Sequence, residues 1–321
     1  MDELTRWAKR SIARGSRSFA LASRLFDPET RRRAWLLYAW CRHCDDVIDG
    51  QAGGQGRVAT DAAVEARLAD LTRQTRAALA GEERQINAFG ALASVVHETR
   101  MPEACPPAHL AGYAMDVHER RFRHIEDTLD YCHHVAGVVG EMMAAIMGVS
   151  PGDSDLLLRA ADLGIAFQLT NIARDVFDDA ALGRCYLPED WLADAGIPPG
   201  DHVRPEHRGA LVAIVARLLD LADAYYASAR EGARRLPRRA GRAVVSAADI
   251  YAAIGAKVRA GGTAAWDHRQ STSVPEKLRF VAGAFLTPQL TSPLPPRPPL
   301  WKKGDTPDWT PPSPPSPPLP A

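Results

Sequence analysis

The 321-residue sequence lacks an excess of charge of either sign. It carries 39 Lys and Arg residues against 39 Asp and Glu residues. Nucleic-acid-binding proteins usually present a surplus of basic charge, because phosphate contacts supply much of their affinity. The balance therefore argues against a nucleic-acid partner. A content of 46% apolar residues is enough to bury a large core.

The sequence also lacks a long apolar run and an apolar leader. The longest apolar stretch, residues 135–149, contains Glu141 and is too short to span a bilayer. The first residues, MDELTRWAKR, precede no apolar segment and do not predict a signal peptide. Five cysteines, an odd number, fit a reducing compartment. We expect a cytoplasmic protein that is not integral to a membrane.

Alternating β-branched residues and internal repeats are absent too, and helical periodicity dominates instead. Between residues 206 and 235, apolar residues recur at steps of three and four, which is typical of a helix with one buried face. Asp27-Pro28 reads as the start of a helix over 31–48. The sequence predicts an all-α fold with roughly eight to ten helices in one bundle-like domain.

Proline divides the chain into two parts. Of 25 prolines, 14 lie in the last 34 residues. We predict a helical domain over residues 1–287 and a Pro-rich, extended and mobile tail over 288–321. In the tail, Trp301, Trp309 and the pair Lys302-Lys303 suggest contact with a membrane surface, as a hypothesis.

A first acidic motif lies in CRHCDDVID, residues 41–49. Asp45 and Asp49 are four residues apart, so on a helix both carboxylates project from one face. Such a pair is either a solvated acidic surface or a ligand pair for Mg²⁺, which prefers oxygen ligands and is often shared with substrate phosphates.

A second acidic motif favours the metal interpretation. Asn171, Asp175 and Asp179 follow each other at steps of four, which predicts one stripe along a helix. Two such stripes facing each other would hold several Mg²⁺ ions, which a diphosphate leaving group needs as its C–O bond ionises. Arg42 and Arg174 lie beside these stripes and could bind the departing diphosphate.

A third stretch, YCHHVAGVVGEMM, is apolar and rich in small residues. Ala136, Gly137 and Gly140 would allow two helices to pack closely. The same small residues would also leave room for a long hydrocarbon. Both interpretations stay open at this point.

Five blocks of the sequence resemble the squalene/phytoene synthase family, and within it the bacterial phytoene synthases. They are SRSFALASRLF, RRRAWLLYAWCRHCDDVID, YCHHVAGVVGEMMAAIMGV, DLGIAFQLTNIARDVFDDAALGRCYLP and AWDHRQSTSVPEKL. The resemblance runs from about residue 5 to residue 285. It implies a single-domain all-α isoprenoid-synthase fold, in which the two acidic motifs face each other across a central cavity.

The resemblance also implies roles for individual residues. The implied Mg²⁺ ligands, with Mn²⁺ as a substitute, are Asp45, Asp49, Asn171, Asp175 and Asp179. The implied diphosphate contacts are Ser18, Arg42, Arg174 and Arg269. The implied lining of the reaction zone is Tyr38, Tyr251 and Gln168, and that of the prenyl tunnel is Ala136, Val139 and Gly140. Asp116 matches a weaker block in which a Tyr usually follows; here that position is Phe122, which puts a hydroxyl role there in doubt.

The implied reaction couples two molecules of geranylgeranyl diphosphate head to head, through a cyclopropylcarbinyl diphosphate, to phytoene for carotenoid biosynthesis. We expect no NADPH. The alternative within the family is a C30 synthase that makes squalene or dehydrosqualene from farnesyl diphosphate. A helical binding protein without catalysis is the alternative from another class, although every acidic position is intact. Because the product is a water-insoluble hydrocarbon, we also expect peripheral membrane contact.

Overall fold

The computed structural model describes residues 2–48, 61–83, 85–286, 288 and 294–310. Within these residues the chain forms thirteen α-helices and no strand, so the all-α prediction is confirmed. The helices outnumber the eight to ten predicted because two have only six residues, and because a π-helical turn at His133–Gly137 separates two others.

The helices follow one another along the chain with short connections. Their bounds are α1 Glu3–Gly15, α2 Arg17–Ala22, α3 Pro28–Ile48, α4 Asp61–Leu79, α5 Ala88–Glu98, α6 Cys105–Val117, α7 Ile125–Cys132, α8 Val138–Ile146, α9 Ser154–Ala181, α10 Glu189–Asp194, α11 Arg208–Ala233, α12 Arg238–Gly261 and α13 Val274–Gly283.

The start of α3 shows how local sequence sets these bounds. The Asp27 side chain accepts hydrogen bonds from the backbone N–H groups of Glu29 and Thr30, both at 3.0 Å. Pro28 occupies the first helical position, where its missing N–H has no partner to lose. The predicted helix start at Asp27-Pro28 is confirmed.

The long helix α9 lies at the centre of the fold. It packs against α8, α11, α12 and the π-helical turn, and its apolar residues join the largest buried cluster. A second buried cluster forms around α3, α4, α5 and α6. By length and composition alone α9 could cross a membrane, but 61% of its apolar window is buried, as in a core helix.

Two glycines allow α9 to pack closely against α8 and against the π-helical turn before it. A Cβ atom on Gly140 would lie 2.0 Å from the carbonyl oxygen of Ala160, and one on Gly164 would lie 2.1 Å from that of Ala136. No side chain fits at such distances. The close-packing interpretation of the third stretch is therefore correct, and the interpretation as a hydrocarbon wall stays a prediction.

Residues 294–310 form no helix or strand, yet they pack against the helical body. The Arg297 guanidinium donates to both carboxylate oxygens of Asp162 on α9, at 2.9 and 2.6 Å. Lys303 Nζ lies 2.8 Å from Oδ1 of Asp130, which is fully buried. Trp301 and Trp309 pack against the central cluster. The boundary between domain and tail at residues 287 and 288 stays a prediction, but this part of the tail has contacts that composition did not reveal.

Two opposing effects act on the Asp162 carboxyl, namely its burial and its attraction to Arg297. Burial raises the pKa of the Asp162 carboxyl, although hydrogen bonds from Arg297 and Ser228 oppose that shift. A buried carboxylate that loses its bidentate partner is left with an uncompensated charge. Asp162 therefore makes the fold depend on a residue 135 positions away in the sequence.

We predict that Arg297→Met lowers the free energy of unfolding by about 3–5 kcal/mol, because it leaves Asp162 buried without its cation. The control is Arg259→Met, which breaks an ion pair with the largely exposed Asp220 and Asp223 and should lower stability by less than about 1 kcal/mol. Urea unfolding followed by circular dichroism measures both changes. Equal losses in the two variants would show that the tail contact is not structural.

Candidate active site

A deep apolar cavity of about 320 Å³ opens between α2, α3, α8, α9 and α12. Seven of the predicted site residues line it: Tyr38, Ala136, Val139, Gly140, Gln168, Asn171 and Tyr251. A volume of this size falls within the range of small-molecule sites, and an apolar wall suits a hydrocarbon chain. Gly140 both lines the cavity and lets α8 approach α9.

Aromatic rings form one wall of the cavity around Tyr251. The Phe19 ring stacks on Tyr251 with centroids 5.6 Å apart, and the Phe167 ring lies 4.4 Å away. Burial raises the pKa of the Tyr251 hydroxyl, although Arg174 and Arg269 oppose the shift. The hydroxyl is therefore neutral at physiological pH, and the rings offer π faces to a bound ligand.

The acidic residues of the second motif lie on α9, but not on a straight stripe. Asp175 has φ −102° and ψ 15°, so the helix bends at this residue. Asn171, Asp175 and Asp179 all lie on one helix, as predicted, but the dihedral angles of Asp175 fall in the bridge region rather than the α region, so the stripe is not regular. Asn171 remains at the cavity wall, where its side chain donates to Gln168 at 3.3 Å.

Two arginines hold Asp175. Arg174 Nε donates to its Oδ1 at 2.7 Å, and Arg269 approaches from the connection between α12 and α13, with contacts of 3.1 and 2.9 Å. The Trp266 indole donates to the carbonyl of Ala173 at 3.0 Å. This anchor attaches the connection to α9 and explains how Arg269, distant in sequence, reaches Asp175.

The first acidic motif lies on α3, close to Tyr38 of the cavity wall. Arg42 contacts Asp45 at 3.1 Å and Asp46 at 2.6 Å. Burial raises the pKa of the Tyr38 hydroxyl to about 12, with Arg42 opposing the shift and Asp45 adding to it. Tyr38 therefore connects the charged α3 surface to the apolar cavity. Asp49 and the side chain of Ser18 lie outside the described residues, so their predicted roles stay predictions.

Negative charge accumulates around Asp179. The pKa of the Asp179 carboxyl is raised to about 7, mainly by burial and then by the carboxylates of Asp175 and Asp116, while Arg184 opposes the shift. Asp116 in turn accepts hydrogen bonds from the hydroxyls of Tyr131 and Tyr186, at 3.0 and 2.9 Å. A bound cation would stabilise the ionised form of these carboxylates.

The oxygen-bearing side chains of the two acidic motifs are ligands of the kind that Mg²⁺ prefers. Carboxylates at Asp45, Asp175 and Asp179 and the Asn171 amide oxygen are hard ligands. Among the described residues, no three His, Cys, Asp or Glu side chains stand together as a complete metal site. Mg²⁺ is commonly held by one or two carboxylates together with substrate phosphates, so partial ligand sets of this kind suit it.

Several residues of the site were not predicted from the sequence. Phe19 and Phe167 form the aromatic wall, Trp266 positions the connection that carries Arg269, and Tyr131 and Tyr186 bind Asp116. Phe122 has no hydroxyl, but its ring packs edge-on against those of Tyr131 and Tyr186. The hydroxyls that contact Asp116 thus come from two other positions. All five of these residues lie inside the sequence blocks that resemble the family. Their position in those blocks is the sequence feature that could have identified them.

Comparison with known proteins agrees with this geometry. A family model described as squalene/phytoene synthase matches residues 12–276. The chain is 50% identical over 281 residues to a phytoene synthase of Pseudescherichia vulneris, covering 86% of this chain and 89% of the relative. It is 49% identical over 301 residues to a 15-cis-phytoene synthase of Pantoea ananas, covering 92% and 96%.

A solved structure supports the fold. A dehydrosqualene synthase crystallised in complex with a ligand superposes with a TM-score of 0.78 at 26% identity, over 88% of this chain and 96% of that one. The helical architecture predicted from the sequence is therefore found in an experimentally determined relative.

We predict that Asp179→Asn raises the unfolding temperature of the protein in EDTA. The folded-state pKa of about 7 lies above the usual 3.8 of Asp, so ionised Asp179 opposes folding, and the penalty grows as pH rises from 3.8 to 7. The gain should be largest above pH 7 and vanish near pH 4, with roughly 2–4 °C for each kcal/mol relieved. Differential scanning calorimetry at several pH values measures it.

The control for this prediction is Asp194→Asn, at an exposed carboxylate on α10 that does not contribute to the raised pKa of Asp179. It should leave the unfolding temperature nearly unchanged at every pH. An equal effect in both variants, or a loss of stability in Asp179→Asn above pH 7, would contradict the electrostatic description of the site.

Proposed function

The chain belongs to the squalene/phytoene synthase family, and we propose that it is a phytoene synthase, which joins two molecules of geranylgeranyl diphosphate head to head. One observation carries the proposal: an apolar cavity of about 320 Å³ is lined by two tyrosines that lie beside charged groups. Tyr38 is close to Arg42 and Asp45, and Tyr251 is close to Arg174, Arg269 and Asp175. An amphiphilic substrate with a long hydrocarbon chain and a diphosphate head matches both parts.

The identity of the relatives favours the C40 reaction over the C30 alternative. The chain is 50% identical to a phytoene synthase and 26% identical to a dehydrosqualene synthase. Farnesyl diphosphate as substrate, giving squalene or dehydrosqualene, is therefore the weaker proposal. NADPH has no part in the proposed C40 reaction.

We propose Mg²⁺ as the metal, held by Asp45, Asp49, Asn171, Asp175 and Asp179. When bound, it would neutralise charge on the diphosphate as the C–O bond breaks. The raised pKa of Asp179, caused by burial and nearby carboxylates, supports a role in holding a cation.

The proposed role of the arginines and Ser18 is to bind diphosphate. Arg42 and Arg174 are only partly exposed, and a planar guanidinium binds phosphate oxygens in a bidentate manner. Arg269 is 63% exposed and contacts Asp175 from a connection between helices. It can therefore exchange a carboxylate partner for a diphosphate without unpacking the core.

The cavity walls would control the carbocation chemistry. Loss of diphosphate from one substrate gives an allylic cation, which the 2,3-alkene of the second substrate attacks. Loss of a proton closes the cyclopropylcarbinyl diphosphate; ionisation of the second diphosphate, rearrangement and loss of another proton give phytoene. The rings of Tyr251, Phe19 and Phe167 would stabilise the cations through their π faces, and the apolar wall would exclude water.

A cytoplasmic location with peripheral membrane contact completes the proposal. All five cysteines are free thiols, which is typical of a reducing compartment. The product is a hydrocarbon that water does not dissolve, so a lipid phase must receive it.

We predict that the purified protein with Mg²⁺ and geranylgeranyl diphosphate forms a C40 hydrocarbon and that EDTA stops the reaction. Asp175→Ala should reduce turnover by about a hundredfold or more, because it removes a group that acts where charge develops. Asp220→Ala, which changes an exposed carboxylate on α11, serves as the control and should retain full turnover. Mass spectrometry of the extracted hydrocarbon identifies the product.

A C30 hydrocarbon from farnesyl diphosphate, with none from the C20 substrate, would contradict the phytoene assignment. Full turnover by Asp175→Ala with unchanged helicity would contradict the assignment of the metal site.

A further inference from the structure

Helix α13 and the turn after it concentrate exposed apolar side chains. Six large apolar residues are exposed in the described part of the chain, and four of them lie within residues 274–286. Val274, Leu278, Phe285 and Leu286 are between 50% and 85% exposed. Single exposed apolar residues are ordinary, but a cluster of this kind marks an interaction surface.

The cluster forms a stripe along the helix. Val274 and Leu278 are four residues apart on α13, so they project from one side of it. Phe285 continues this exposed apolar surface in the 3-10 turn Ala284–Leu286, next to Arg242 of α12. None of the residues of α13 is buried. The segment is held from behind, through fully buried Ala284 and through the ion pair of Glu276 with Lys257 on α12, at 2.8 Å.

Basic residues surround the stripe. Arg238, Arg239 and Arg242 lie in the first turns of α12, and the Arg242 guanidinium is 4.3 Å from the Phe285 ring. Lys277 and Arg279 lie on α13 itself. None of these five forms an ion pair within the described residues. The nearby carboxylates of Glu276 and Asp249 are already paired, with Lys257 and Arg230. The surface is therefore apolar at its centre and positive around it.

The surface lies one helix away from the cavity. Ala243, Val244, Ala247 and Tyr251 of α12 line the cavity, and Val244 also packs against the cluster that contains Ala284. The apolar end of the cavity, at Leu236 and Ala243, is thus close to the base of the exposed stripe.

We infer that α13, the turn Ala284–Leu286 and the first turns of α12 dock on an anionic lipid bilayer. The inference deepens the proposed function, because it locates the lipid phase that delivers polyprenyl chains and receives the product. Basic side chains would contact anionic headgroups while the apolar stripe enters the boundary with the acyl chains.

Two other arrangements fit the same residues less well. A symmetric dimer through this surface would bring five unpaired positive charges on each copy toward each other, and like charges across an interface oppose association. Trp301 and Trp309 of the tail are the residues for which the sequence suggests membrane contact. Both side chains pack against the central cluster, and Lys303 forms an ion pair with Asp130. The described part of the tail therefore offers fewer apolar and basic side chains to a membrane than α13 does.

The test is co-sedimentation of the purified full chain with vesicles of phosphatidylcholine plus phosphatidylglycerol, and with vesicles of phosphatidylcholine alone. The wild type should bind the anionic vesicles, and added salt should weaken that binding. Arg238→Glu with Arg239→Glu should weaken binding at least about 25-fold, at roughly fivefold for each basic residue lost. Leu278→Ser with Phe285→Ser should also weaken it, with hydrocarbon synthesis in detergent retained.

Matched controls are Arg100→Glu, at an exposed arginine after α5, and Ile86→Ser, at an exposed apolar residue before α5. Both should bind vesicles like the wild type, and circular dichroism should show full helicity in every variant. Equal binding by the α13 variants and the controls, or no binding by the wild type, would overturn the inference. A dimer that the Leu278→Ser, Phe285→Ser variant dissociates, without vesicle binding, would overturn it in favour of a second copy of the chain.

Vesicle binding needs no substrate, so its result is separate from the result for the proposed function. A chain that binds anionic vesicles through α13 but makes no hydrocarbon would keep the docking surface and lose the proposed activity. If the protein makes a C40 hydrocarbon in detergent but does not bind vesicles, the proposed activity is supported and the docking surface is contradicted.

Discussion

The site depends on negative charge buried next to an apolar cavity. Asp175 and Asp179 lie on the central helix, close to Asp116, and burial raises the pKa of Asp179 to about 7. Carboxylates in such surroundings require positive partners. Arg174 and Arg269 supply part of that charge at Asp175. In the proposed function, the remaining demand is met when a cation and a diphosphate bind together, so that charge unfavourable for folding serves ligand binding.

The rest of the architecture positions that charge. Helix α9 carries the acidic residues and also forms part of the cavity wall, so the apolar chain and the charged head of the proposed substrate would contact the same helix. Gly140 brings α8 close to α9, and Gly164 does the same for the π-helical turn at Ala136. Trp266 attaches the connection that carries Arg269, and the next helix, α13, begins five residues after Arg269. The proposed membrane surface and Arg269, one of the proposed diphosphate contacts, are thus neighbours along the chain.

Much of this was predictable from the sequence, because periodic patterns record local structure. Apolar steps of three and four predicted α11, and Asp27-Pro28 predicted the start of α3. Spacing selected the acidic residues of the site. Other features leave no periodic signal. The bend at Asp175 and the pairing of Arg297 with Asp162 arise from tertiary packing between distant residues. Val274 and Leu278 have the spacing of a buried helix face, and only the structure shows them exposed.

The central claim is that the carboxylates beside the cavity hold a divalent cation together with diphosphate. Isothermal titration calorimetry of inorganic diphosphate into the protein, with and without Mg²⁺, tests it without any turnover. We predict binding that requires Mg²⁺ and that Asp175→Asn weakens by about tenfold or more. Diphosphate binding of equal strength without Mg²⁺, or unchanged in Asp175→Asn, would contradict the claim.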